Sequence, residues 1–465
     1  LYSSNYMLSN LKFLKSIYSK SPRLLKELYS LIPWKIRMGS GYRRTLGFLL
    51  KSEKWSVDQW HSYQTSELRS LLKFCSKEVP YYRELFKKNQ IDVDCDDIWS
   101  EFYKIPLMTK EDLIKNNDKL IPDNRKGLFS LATGGTTGKP VTIFYDKESY
   151  KKEWAFKIFF WGNAIGYKIS DKKATFRGVS FGAKLFHKNP IYNEIRFSPF
   201  KLEGSDTQKI VNKLKEYKPR YIHGYPSAIE QLARYLVDHN ERLEEIAGII
   251  LISENIFDYQ ISLMKETFDC PIYSFYGLTE RVIMASMNEN LDLFYAHPAY
   301  GITEIVDTKT NLPVSKLDVL GELVGTGFIN YGMPLLRYKT ADFSSWKMDI
   351  SDASWSMPTL GTIKGRWNQE FLIGKDRSKV SLTALNMHSS IYANIDKLQF
   401  YQEEFGTIQL NVVKSCNYSK DDEKSIREKI MRKLGSQFLV KFNYVHSLSL
   451  TQSGKAKYLV QKLDI

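Results

Sequence analysis

The chain has 465 residues, 43% of them hydrophobic and 26% charged, with Lys and Arg outnumbering Asp and Glu by 15. Its length calls for two or three domains rather than one core, and a mean hydropathy of −0.36 with no apolar run near the ~18 residues of a membrane helix excludes a membrane-spanning class. Cys75, Cys95, Cys270 and Cys416 lie far apart with no Cys-x-x-Cys, which excludes a disulfide framework and a cysteine-based zinc site and suits a reducing cytoplasm. In chain order, the first residues lack the basic-then-apolar order of a secretory signal. Basic stretches occupy Lys12–Lys26 and Lys35–Arg44. A balance of this sign admits nucleic acid, an anionic membrane surface or anionic substrates as partners. No helix-turn-helix, zinc-finger or RNP signature is present, which argues against nucleic acid. A solvated lysine-rich surface explains the charge equally well, and peripheral contact with the inner face of a membrane stays open.

Residues up to about 125 read as mostly helical. Apolar residues recur at helical spacing from Ser66 to Lys77, Val79-Pro80 breaks the pattern, and a short helix restarts over Tyr82–Phe86. Thr109, with Asp112 three residues on, has the pattern of a helix cap. Ser130–Pro140 then packs Thr133, Gly134, Gly135, Thr136, Thr137, Gly138 and Lys139 ahead of the strand-like Val141–Tyr145. Backbone N–H groups and hydroxyls in such a loop suit phosphate oxygens. It is not a Walker A loop, because the first glycine of that pattern falls on Thr133 and its magnesium-binding hydroxyl on Pro140. An ordinary glycine–threonine hairpin turn is the alternative.

From there the text alternates: helix over Ser149–Gly166, strand at Tyr221–Tyr225, helix over Pro226–Asp238, strand from Gly248 to Ser253, helix over Tyr259–Phe268, and strand from Pro271 to Tyr276. This predicts a parallel, helix-covered sheet. Thr303–Asp307 and Gly321–Phe328 read as antiparallel strands, and an α+β pattern closes the chain beyond Arg366. The expected architecture is a multi-domain α/β protein. Residues 1–365 form a large domain of helix-covered parallel sheets with a distorted antiparallel part, and residues 366–465 form a small α+β domain.

Four later segments carry chemistry. Ser274–Glu280 places Tyr276, Gly277, Thr279 and Glu280 at a strand's C-terminal end, where ligands bind in open α/β sheets. Tyr276 suits a purine face, Thr279 a phosphoryl oxygen and Glu280 Mg²⁺. Met333–Asp342 ends in a carboxylate able to accept both ribose hydroxyls. Ile363–Arg366 and Thr451–Lys457 follow. Each has a structural alternative: Glu280 as a helix-terminal carboxylate, Asp342 as a turn cap, and Lys455 as a solvated lysine with Lys457 as a rival.

In this order the segments resemble the adenylate-forming superfamily, and within it the phenylacetate–CoA ligase branch and its capsular-polysaccharide CapK-like members. Tyr81–Phe86, Ile105–Lys110 and Gly332–Tyr338 extend the similarity over nearly the whole chain. The resemblance implies a two-step, ATP- and Mg²⁺-dependent reaction: a carboxylic acid becomes an acyl-adenylate, which an amine or the thiol of CoA then captures. It implies that Thr133, Thr136, Thr137 and Lys139 hold phosphates, with the loop glycines, and that Tyr276, Ser253 and Glu254 border the adenine. Glu280 binds Mg²⁺, Asp342 grips the ribose beside Arg366, and Lys455 is carried in by a mobile C-terminal domain. Thr340-Ala341-Asp342 stands where the family pattern is Thr-Gly-Asp, and Trp367-Asn368-Gln369-Glu370 stands where many members carry an acidic hinge pair. The altered hinge weakens the CoA assignment.

Arg177, His223, Tyr225 and His297 are expected at the acid or acceptor pocket, although a structural role for each histidine is the more ordinary reading. The stretch around Arg177 and from Lys184 to Arg196 is polar and basic. That favours an anionic or hydroxylated acid over an aryl acid, for instance a sugar uronic acid, free or nucleotide-linked. The expected function is therefore an AMP-forming acid–amine ligase of bacterial capsule or O-antigen synthesis. A CoA ligase and a non-catalytic nucleotide-binding scaffold are the alternatives.

Overall fold

The computed structural model describes residues 27–463 except 29, 133–140, 178–180, 182–183, 200, 203, 254–255, 257, 349–356, 364–370, 383–384, 386–393, 415–416, 447 and 449–458. Helices α1 (Trp34–Ser52), α2 (Val57–Glu78), α3 (Pro80–Lys88), α4 (Ile98–Tyr103) and α5 (Lys110–Lys115) come first, as the periodicity predicts. Val79 is extended at φ −112° before Pro80, which ends α2 and opens α3. Thr109 and Asp112 close a reciprocal capping box on α5.

Strands β1 (Phe129–Ala132) and β2 (Thr142–Tyr145) pair antiparallel, Phe129 against Tyr145. The glycine–threonine loop thus springs from a hairpin, while its own residues lie outside the described ones. Asp146 ends β2 and caps α6 (Lys147–Ile165), accepting from Ser149 N–H at 2.7 Å. Its other oxygen accepts from the Tyr331 and Gly332 N–H groups. The chain continues through β3 (Lys173–Phe176), β4 (Phe186–Asn189), β5 (Glu194–Phe197), α7 (Gly204–Tyr217), β6 (Tyr221–Gly224), α8 (Pro226–Asp238), β7 (Gly248–Leu251), α9 (Asp258–Phe268), β8 (Ile272–Gly277), β9 (Met284–Met287) and β10 (Phe294–Ala296). Next come β11 (Gly301–Val306), β12 (Gly321–Gly327), β13 (Tyr338–Ser344) and β14 (Thr359–Leu360).

Nine strands form one sheet in the order β14-β10-β9-β8-β7-β6-β3-β5-β4. The block β5-β3-β6-β7-β8 is parallel, and both flanks are antiparallel. Neighbouring residues of one strand feed opposite layers, as a period of two requires. Phe176, Ile222, Ile249 and Leu251 pack with Leu214 of α7, Ile229 of α8 and Met264 of α9. Tyr221, Ile250, Tyr273 and Phe275 pack with Phe156, Phe160 and Trp161 of α6. Covering both faces is what a parallel sheet needs. β5 lies on one side of β3 and β6 on the other, so the strand order reverses there and leaves a crevice beyond their C-terminal ends. A Cβ on Gly224 would lie 2.3 Å from the Phe176 carbonyl oxygen, so only glycine lets β6 approach β3 this closely at that crevice.

β11, β12 and β13 form a separate antiparallel sheet, with Ile305 opposite Leu323, as expected for this stretch. Beyond residue 370 follow β15 (Phe371–Ile373), β16 (Lys379–Ser381), β17 (Ile395–Glu404), β18 (Thr407–Lys414), α10 (Lys420–Leu434), β19 (Leu439–Tyr444) and β20 (Leu459–Gln461). They form a hairpin and a four-stranded sheet, β19-β18-β17-β20, around Phe400, Ile408, Leu410, Ile426 and Ile430. No described strand pairing joins residues before 364 to residues after 370. Gln231 of α8 donates to the Lys379 carbonyl at 3.0 Å across that line. The expected boundary at Arg366 falls outside the described residues.

Candidate active site

The segment after β8 is held by three phenols. Tyr276 O–H donates to Asp342 Oδ2 at 2.7 Å, Tyr338 O–H donates to Glu280 Oε1 at 3.2 Å, and Tyr145 O–H donates to the Thr279 carbonyl. Thus β2, β8 and β13 converge on Tyr276, Thr279, Glu280 and Asp342. Burial raises the Tyr276 phenol well above its usual range, and the Asp342 and Glu280 charges push it the same way. Tyr276 therefore remains a hydrogen-bond donor at neutral pH. Gly277 is exposed beside it, and Thr279 and Glu280 are half-buried.

Asp342 is half-buried, and its N–H donates to Thr340 Oγ1 at 3.1 Å. Thr340 in turn donates to the Leu323 carbonyl, and Glu322 accepts from Ala341 N–H at 2.9 Å. Ala341 sits at φ +58°, a left-handed conformation that glycine adopts without strain. The alanine that replaces the pattern's glycine thus keeps a glycine-like backbone. Ser253, just beyond β7, is exposed at φ +69°.

Arg177 follows β3 and His223 lies on β6, on the two sides of the strand reversal. Arg177 Nη1 lies 3.4 Å from His223 Nε2, and His223 Nδ1 lies 3.0 Å from the Ile250 carbonyl. A carbonyl only accepts, so Nδ1 carries the proton and Nε2 accepts from Arg177. Burial, then the Arg177 charge, holds the imidazole well below its usual range. His223 is therefore neutral, and the exposed Arg177 carries the positive charge at this mouth. Deeper on the same face, burial lowers the Lys173 ammonium to about 8, although Glu194 opposes that. Tyr225 is buried, its N–H bonded to the Phe176 carbonyl at the same end of the sheet.

His297 lies elsewhere, 3% exposed among Trp60, Phe156, Phe159 and Phe160. Its Nδ1 accepts from Ala299 N–H at 3.2 Å, and its Nε2 is buried without a partner. Burial lowers it to about 3. It is packed as a core residue rather than facing an acceptor. Thr133–Lys139, Glu254, Arg366, Lys455 and Lys457 lie outside the described residues.

Sequence reasoning missed Tyr145, Tyr338 and Arg281. The buried Arg281 donates to Ser149 Oγ at 2.8 Å and stacks 4.1 Å above the Tyr145 ring. It fastens the residue after Glu280 to the start of α6. Its position directly after the Thr279-Glu280 pair was the available signal.

Among the described residues no three His, Cys, Asp or Glu side chains converge into a metal cage. Mg²⁺ needs only one or two carboxylates when phosphates and water complete its shell. Glu280 is half-buried and tied through one oxygen, so it fits that mode.

Comparison with known proteins follows the same layout. Residues 372–462 match the CapK C-terminal domain family. The chain is 24% identical to Protein CapK of Staphylococcus aureus over 97% of this chain and 100% of that protein. It is 26% identical to phenylacetate-coenzyme A ligase of Pseudomonas putida over 69% and 74% of the two chains. Among solved structures, 2-hydroxyisobutyryl-CoA ligase in complex with 2-HIB-AMP and CoA superposes with a TM-score of 0.59 over 87% of this chain and 90% of that one. At 15% identity that likeness is one of fold.

Proposed function

We propose that the chain is an AMP-forming ligase of the adenylate-forming superfamily, on its CapK-like and phenylacetate–CoA ligase-like branch, and that it adenylates a polar, hydroxylated carboxylic acid and passes the acyl group to an amine. In the first half-reaction a carboxylate oxygen attacks the α-phosphorus of ATP, the bond to the β-phosphate bridge breaks, and pyrophosphate leaves. In the second the amine nitrogen attacks the acyl carbon, the bond to AMP breaks, and the nitrogen gives up a proton. Carboxylate is a poor electrophile and AMP a good leaving group, which is why activation comes first.

The observation that carries this reading is the phenol-tied pair Glu280 and Asp342 at the C-terminal end of β8. Asp342 would accept the ribose hydroxyls, oriented by Tyr276, with Gly277 leaving room for the base and Ser253 and Glu254 at its edge. Thr279 would meet a phosphoryl oxygen. Glu280 would hold Mg²⁺, which when bound offsets charge on the phosphates. Thr133, Gly134, Gly135, Thr136, Thr137, Gly138 and Lys139 would clamp the phosphates, with Arg366 beside the ribose. We assign Lys455 to the adenylation transition state, where its ammonium would face the carboxylate and α-phosphate. A division at residues 365 and 366, with a swinging C-terminal domain, would deliver it.

Among the described residues Arg177 makes one hydrogen bond, to His223, and its other donors suit an anionic or hydroxylated group of the acid. A uronic acid, free or nucleotide-linked, has that chemistry. The likeness to CapK supports a role for the proposed reaction in capsule or O-antigen synthesis, which we assign to the cytoplasmic side of the membrane. A thioester to CoA is the second reading, favoured by the phenylacetate-coenzyme A ligase relatives.

The test is acceptor capture: the adenylate formed with a uronic acid is offered an amino sugar or CoA, and products are identified by mass. Amide is expected, and thioester alone would shift the assignment to the second reading. Arg177→Gln is expected to raise KM for the acid roughly 10- to 100-fold, the loss of a charge-assisted bond, with KM for ATP unchanged.

A further inference from the structure

The first 52 residues carry ten Lys or Arg against the single acid Glu27, so nine of the fifteen net positive charges fall in about a ninth of the chain. Nothing in the proposed chemistry uses them. From Leu31 to Ser52 there is no acid at all. Helix α1 is broken at Gly39 (φ +75°), and its second part presents Gly41, Tyr42, Leu49 and Ser52 inward, while Trp34, Met38 and Tyr42 pack with Ala155 of α6. The opposite stripe carries Arg43, Arg44, Leu50 and Lys51, all exposed, and Lys54 extends it. Arg37 is engaged otherwise, bonded to the Ile191 carbonyl and resting on the Trp34 ring. Glu148, the acid against this helix, is paired with Lys151 at 2.5 Å.

The same stretch of chain exposes large apolar side chains. Leu31 is 77% exposed and Ile36 61%, with Leu28, Ile32 and Leu50 also open. Apolar side chains lie beside exposed cations that outnumber the acids near them, Glu53, which accepts from Asn163, and Glu148, and this combination matches one partner chemistry. An anionic lipid surface takes the apolar groups at the headgroup boundary and attracts each cation within a Debye length.

We propose that α1 and the residues just before it dock the protein on an anionic membrane surface, with Leu31, Ile32 and Ile36 at the acyl boundary and Lys35, Arg43, Arg44 and Lys51 on the headgroups.

The test is co-sedimentation of the 465-residue chain with vesicles of equal parts phosphatidylglycerol and phosphatidylcholine, against pure phosphatidylcholine. Binding is expected to the anionic vesicles only and to weaken as salt rises from about 0.1 to about 0.5 M. The double variant Arg43→Gln/Arg44→Gln is expected to lose on the order of 30-fold in partitioning. Leu31→Ser/Ile36→Ser should lose binding with the charge unchanged. Lys87→Gln/Lys88→Gln removes the same charge from exposed positions on α3 and should bind like the parent. Thermal unfolding of each variant checks its fold, while the salt and lipid arms use the unaltered chain. Equal loss in the Lys87/Lys88 variant, equal binding to neutral vesicles, or no binding overturns the proposal. So does a dimer in light scattering that the Arg43/Arg44 change dissolves, or capture of RNA in place of vesicles.

Discussion

Ala341 holds φ +58° with a side chain attached, where a Cβ costs about 1–2 kcal/mol against glycine's freedom. Glycine gains that relief but loses about 0.5–1 kcal/mol to its more disordered unfolded state. Ala341→Gly is therefore expected to leave the melting temperature nearly unchanged. Ala341→Val puts a β-branched residue in the left-handed region and is expected to destabilise by about 2 kcal/mol; an unchanged melting temperature for valine would contradict the strain. His297 gives a second prediction. Its folded value is lowered to about 3 by burial, so between there and about 6.5 the unfolded chain binds the proton and the native chain does not. Stability then falls as pH falls, by about 1.4 kcal/mol per pH unit. In urea unfolding, parent and His297→Phe should diverge by that slope below pH 6.5, and parallel curves would place the charge elsewhere. Glu280 and Asp342 were legible in the sequence because their motifs are local. Tyr145, Tyr338 and Arg281 were not, since β2, β8 and β13 meet only after folding. For His297 the pocket and the core stayed open as alternatives, with the core the more ordinary one, because a histidine before a proline looks the same in both.

At the level of elements, the Ile105–Lys110 segment is fixed by a buried ion pair. Arg337 Nη2 lies 2.8 Å from Glu304 Oε1 of β11, both side chains 7% exposed. Its Nη1 donates to the Tyr103 and Ile105 carbonyls. Burial raises the Glu304 carboxyl and Arg337 pulls it back. Arg337→Met strands that carboxylate and is expected to cost about 3–5 kcal/mol in chemical denaturation, whereas Arg337→Met/Glu304→Leu should recover most of it. A double variant as weak as the single one would show that the arginine's carbonyl bonds dominate. The capping box at Thr109 was legible, because its partners are three residues apart. The clamp was not, because Arg337 and Glu304 are brought together only by the pairing of β11, β12 and β13.

For the whole molecule, strand–helix alternation made the parallel sheet legible between Leu131 and Phe275. Its extension by β9, β10 and β14 was not, since antiparallel strands of two to four residues carry little periodicity of their own. Strand order is likewise a tertiary property: the reversal that sets Arg177 beside His223 depends on β5 crossing to the far side of β3. In the proposed function this frame assembles an adenylating site from Glu280, Asp342 and a lysine delivered from the C-terminal region. ATP–pyrophosphate exchange with a panel of uronic, nucleotide-linked uronic and aryl acids tests it most directly. Exchange is predicted with the hydroxylated acids. Asp342→Ala should reduce it about 100-fold and Lys455→Ala should abolish it. Exchange that survives Lys455→Ala, or that no acid supports while ATP still binds, would contradict the account.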